Sequence, residues 1–90
     1  MKEAEFRRFL ENNGITDKAV ASRLARGRRA EETLGYSLDT AVSTDDMMYD
    51  SLRKLQPHED PLHNPMQNAL RKYYIFVQGK EFPQLRYYKR

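Results

Sequence analysis

Apolar residues recur along this chain at helical intervals, separated by polar stretches that carry glycine or proline. Phe6, Phe9 and Leu10 predict a first helix over residues 2–12, which Asn13-Gly14 ends. Thr16 is a good N-cap and Asp17 puts negative charge in the turn it opens, so a second helix is predicted from there to Leu34, with Gly35 as its stop. At about 100° per residue, Val20, Leu24, Gly27, Glu31 and Leu34 share one side of it. A mid-helix glycine costs about 1 kcal/mol against alanine, so Gly27 implies a close helix–helix contact. Residues 36–43 read as a connector that tucks Leu38 and Val42 into the core. Thr44, followed by Asp45 and Asp46, starts a third helix on which Met48, Leu52 and Leu55 are apolar. Residues 56–63 form a loop with Pro57 and Pro61. Asn64 then caps a fourth helix that Pro65 opens, that buries Met66, Leu70, Tyr73, Tyr74 and Val77, and that ends at Gly79. The pattern predicts an all-α fold, a compact four-helix bundle over residues 1–79. A basic, tyrosine-rich tail or linker over residues 80–90 follows, where Pro83 breaks any helix.

Ninety residues make one small domain with a radius of gyration of about 12 Å and little room for a buried pocket. The net charge of +3 and pI near 9.3 matter less than their distribution. Residues 18–30 hold five bases and no acid, residues 31–70 eight acids and two bases, and residues 71–90 six bases and one acid. Two basic segments flanking an acidic middle give the domain a polarity suited to orientation on a polyanion. No cysteine is present, which excludes disulfides and thiolate metal sites. No apolar run approaches the roughly 20 residues of a membrane span, and the N-terminus lacks a signal-peptide core. A cytoplasmic protein without a membrane partner is expected.

The chemistry-bearing positions are mainly basic. Opposite the apolar side of the second helix, Lys18, Ser22, Arg26 and Arg29 form a ridge of the kind that lies against a phosphate backbone. Glu31 and Glu32 stand three or four residues from its C-terminal end, within reach to neutralise part of it. On the fourth helix Gln67, Arg71 and Gln78 line one edge of the apolar stripe, Lys72 the other, and Asn68 the far face. Ile75 stands among the polar residues. The tail interleaves Tyr87 and Tyr88 with Arg86, Lys89 and Arg90, a pattern that suits stacking on nucleic acid or packing back on the bundle. His58, Glu59, Asp60 and His63 match no metal-ligand spacing, no serine pairs with a histidine, and the glycines are dispersed. No catalytic residue, metal or cofactor is expected, and the chain is not read as an enzyme.

The phenylalanine-rich first helix ending at Gly14, the second helix from Thr16 to Leu34-Gly35, and the run Asn68-Ala69-Leu70-Arg71-Lys72-Tyr73-Tyr74-Ile75-Phe76-Val77 together resemble a known family. This is the N-terminal core-binding (SAM-like) domain of tyrosine recombinases and phage integrases. Its closing helix carries an Ala-Leu-Arg-x-aromatic-Tyr pattern like Ala69 to Tyr74, and the likeness spans about residues 5–78. The resemblance implies a SAM-like four-helix domain that clamps duplex DNA by phosphate contacts opposite a catalytic domain. By position it implies one contact set of Thr16, Lys18, Ser22, Arg26 and Arg29, and a second of Gln67, Arg71 and Lys72. Two features depart from the family. The Arg, His and nucleophilic Tyr constellation of the catalytic domain is absent, and Arg23 stands where an aromatic residue is common. The partner implied is duplex DNA, with the rest of a recombinase as a further one. The alternative is a free-standing phage or mobile-element protein-interaction module, its surface made of the acidic middle, Ile75 and the aromatic tail.

Overall fold

A computed structural model describes residues 1–89; Arg90, the last residue of the tail, lies outside the described residues. Its elements are α1 (Glu3–Asn12), α2 (Asp17–Leu34), α3 (Leu38–Ala41), α4 (Asp45–Leu55) and α5 (Pro65–Gln78). Single 3-10 turns follow at Gln56–His58 and Leu85–Tyr87. The fold is all-α, with four main helices and no strand among the described residues, and its radius of gyration is 12.3 Å. The extra element, α3, is one turn within the expected connector. Ser37 caps it by accepting from the Thr40 amide at 3.1 Å, and it delivers Leu38 and Val42 fully into the core.

Local signals account for most helix ends. Thr16 accepts from the Ala19 amide and Thr44 from the Met47 amide. Gly35 and Gly79 close α2 and α5 at φ of +83° and +74°, a left-handed backbone that any Cβ would strain. The start of α5 departs from expectation. Asn64 occupies the cap position, but its side chain turns to the Pro61 carbonyl. The cap comes instead from Glu59, whose carboxylate accepts from the Met66 amide at 2.6 Å and the Gln67 amide at 3.0 Å. A carboxylate there also complements the positive end of the helix dipole.

The core runs from Phe6 and Leu10 on α1 through Val20 and Leu24 on α2 to Leu52, Leu55, Leu70, Tyr73 and Tyr74, all buried. An aromatic cluster joins α1 to α5: the Phe6 ring meets Tyr73 edge-on at 4.9 Å, and Phe9 and Phe76 lie 5.3 Å apart. Because α1 meets α5 at Tyr73 and Phe76, the last turn of α5 is left uncovered, and Val77, expected in the core, is 45% exposed. The approach at Gly27 is also not helix on helix. A Cβ there would stand 3.0 Å from the Met1 sulfur and 3.4 Å from a Leu38 methyl, so the missing side chain makes room for the first residue.

The tail folds back on the bundle. Phe82 is buried with its ring edge-on to Tyr74 at 5.2 Å, and Tyr88 stacks on Tyr49 and donates to Asp46 at 2.8 Å. Two buried tyrosine hydroxyls find acids on the opposite side of the core. Tyr74 donates to Asp45 at 2.7 Å, and burial together with that bond pushes its pKa up to about 12. Tyr73 donates to Asp39 and accepts from the Lys2 amide at 3.0 Å; burial and the Asp39 bond raise its pKa too.

Candidate functional site

The second helix presents its ridge to solvent as the spacing requires. Thr16, Lys18, Ser22, Arg26 and Arg29 are all exposed. From Lys18 to Arg29 the ridge extends about 16 Å along the helix axis at 1.5 Å per residue, about five base-pair steps of a duplex. Among the described residues no carboxylate pairs with Lys18, Arg26 or Arg29. Two neighbouring bases are engaged: Arg28 pairs with Glu3 at 2.9 Å, and the Arg23 guanidinium donates to the Asn68 carbonyl at 3.2 Å. The latter bond ties α2 to α5.

Glu31, one of the two acids within reach of the ridge, is held elsewhere. Its carboxylate accepts from the Met1 ammonium and from the Leu38 amide, at 2.8 and 2.9 Å. The same ammonium lies 3.2 Å from Asp39. Burial works against the charged amine, but the bonds to Glu31 and Asp39 prevail and its pKa rises above the ordinary 8.0. Burial likewise opposes the Asp39 carboxylate, but the Tyr73 hydroxyl and the ammonium bring its pKa below 3.8. This partly buried network draws Glu31 inward and leaves Arg26 and Arg29 unneutralised by it.

The expected second contact set is divided by the fold. Lys72, half-buried, lies one turn beyond Asn68 on the edge of α5 that faces α2. Gln67 and Arg71 lie on the opposite edge and are engaged within the fold. Gln67 joins the Glu59 cap through its amide and, at 3.3 Å, its side chain. The Arg71 guanidinium donates to the Phe82 and Pro83 carbonyls at 2.8 and 3.2 Å, with its carbon 5.9 Å from the Phe82 ring centre. Burial lowers its pKa, opposed by Glu81, yet guanidinium stays charged at neutral pH. Arg71 thus fastens the tail. Periodicity placed it at a surface edge but carried no information about the tail's return. Ile75 lines a hollow with Arg71 and Phe82 and is half-buried there.

Beside the ridge two shallow hollows share Arg26 and Pro65. One, of about 340 Å³, lies between Ala19, Ser22, Arg23 and Asn68; the other lies against the proline loop. Among the described residues no three His, Cys, Asp or Glu side chains are grouped to hold a metal ion, and no helix is long and apolar enough to cross a membrane. The fold defines a small all-α domain with an exposed basic face on α2. No protein-family model, curated protein or solved structure matches this chain.

Proposed function

We propose that this domain is a non-catalytic module that binds duplex DNA through its phosphate backbone. The observation that carries the reading is the row of exposed cations Lys18, Arg26 and Arg29, unpaired among the described residues, on a helix face that also bears Ser22. Lys72 and the hydroxyl of Thr16 extend the face. Gln67 and Arg71 are left out of the contact set, since their side chains serve the α5 cap and the tail. The likeness of residues 69–74 to the closing helix of SAM-like core-binding domains supports the same α2–α5 face. In that reading the module belongs to a tyrosine recombinase or to a mobile-element protein derived from one. A face of this kind positions a protein on DNA without reading sequence.

Four cations neutralising phosphates should make affinity fall about a hundredfold between 50 and 200 mM salt. The test is fluorescence anisotropy of a labelled duplex of about 20 base pairs at both salt concentrations. The double substitution Arg26→Glu with Arg29→Glu should abolish binding while circular dichroism still reports the helices. Undiminished binding by that folded variant overturns the proposal. One observation favours a second reading, protein interaction: Leu62 is 90% exposed at the tip of a turn pinned by the Asp60 side chain. The aromatic tail and Ile75, which that reading also used, are largely taken up in packing.

A further inference from the structure

Where the ridge ends, a hollow of about 320 Å³ separates α2 from the proline loop. Arg26 and Arg29 form one wall, His58 and His63 stand on the loop side, and Pro65 and Met66 open α5 at its edge. Two acids, Glu59 and Asp60, also line it, but both are turned to backbone amides. Glu59 holds the first amides of α5, and an Asp60 oxygen accepts from the Leu62 amide at 2.7 Å. Neither forms an ion pair with Arg26 or Arg29. Lys54, four residues before His58, points over the Tyr36 ring at 5.1 Å. Pro57, Pro61, the Asp60 turn and the Glu59 cap stiffen the loop, so both imidazoles are displayed from a braced frame. A concave site with two unpaired guanidiniums on one side and two exposed imidazoles on the other suits a tetrahedral oxyanion.

We infer that this hollow seats one phosphate group of the bound strand, with Arg26 and Arg29 neutralising it and His58 and His63 donating to its oxygens. The polynucleotide as source of that phosphate rests on the duplex-binding reading above; the oxyanion chemistry does not. Seating an anion against an imidazole favours the protonated ring, so affinity is expected to be higher at pH 6 than at pH 8. A backbone phosphodiester keeps its charge across this change of pH.

The test uses the full chain, its His58→Gln with His63→Gln variant, and two probes. One is the labelled duplex at pH 6 and pH 8 at constant salt. The other is inorganic sulfate, a tetrahedral oxyanion that keeps its charge over this range, followed by NMR. Both histidines are exposed, so the variant should fold as the parent does. The parent is expected to bind duplex about three- to tenfold tighter at pH 6 than at pH 8, and the variant about equally at both. Sulfate should shift resonances of Arg26, Arg29, His58 and His63 together. Salt-dependent duplex binding whose pH ratio survives in the variant overturns the seat and leaves the duplex reading standing. Absence of duplex binding, with sulfate still shifting those four residues in the parent and not in the variant, upholds the seat and overturns the duplex reading. Sulfate shifts confined to other residues overturn the seat.

Discussion

Replacing Glu31 by glutamine tests the network that draws this acid away from the basic ridge. In the parent, Glu31 accepts from the Met1 ammonium at 2.8 Å and from the Leu38 amide at 2.9 Å, and its side chain is 25% exposed. Glutamine keeps an oxygen for the Leu38 amide but removes the charge that balances the ammonium. A hydrogen bond to a charged partner contributes about 1.5–3 kcal/mol net; partial exposure of Glu31 and of Asp39 brings the expected loss to about 1–2 kcal/mol. For a domain of this size that lowers Tm by about 5–12 °C. The sign of the pH dependence follows from the two shifted groups. The ammonium pKa is raised in the folded state, so its contribution is complete below pH 8.0 and lost as pH rises through the folded value. The Asp39 pKa is depressed, so its contribution is present above pH 3.8 and lost as pH falls through the folded value. Thermal melts of parent and Glu31→Gln across pH should therefore show a gap that narrows as pH rises above 8.0, because Glu31 is among the groups that raise the ammonium pKa. Acetylation of the Met1 amine should reproduce the loss. A gap that stays constant from pH 7 well into the alkaline range would refute the ion-pair account and leave only the Leu38 contact.

Three further outcomes are expected. Arg71→Met removes both bonds to the Phe82 and Pro83 carbonyls; the tail should lose hydrogen-exchange protection at the Tyr87 and Tyr88 amides, with about 1–2 kcal/mol of stability lost in urea melts. Glu59→Ala uncaps α5 and should cost about 1–2 kcal/mol by the same measurement, whereas Asn64→Ala should cost under about 0.5 kcal/mol. Gly27→Ala gains up to about 1 kcal/mol of helix propensity if the flexible Met1 thioether moves aside from its 3.0 Å approach; a net loss in urea melts would show that the tethered residue cannot yield.

The ridge illustrates how far a linear pattern carries. Its exposure follows from helical period alone, because Lys18, Ser22, Arg26 and Arg29 lie opposite the buried Val20, Leu24 and Gly27. Whether its charge is available depended on Glu31. Spacing put that acid within reach of the ridge and on the apolar side of α2, and the fold supplied its partners there, the Met1 ammonium, thirty residues away in sequence, and the Leu38 amide. The hollow beside His58 and His63 was equally illegible, since it needs the proline loop brought against α2.

By itself the sequence determined the four main helices, two of their caps at Thr16 and Thr44, their stops at Gly35 and Gly79, and nearly all of the core. Each of these rests on backbone geometry within a few residues, where period and capping chemistry act. Tertiary structure alone decided that Glu59 rather than Asn64 caps α5, that Val77 stays partly in water, that Arg71 holds the tail, and that Met1 fills the space at Gly27. A polar side chain takes the partner that folding brings to it, and those partners come from separate parts of the chain.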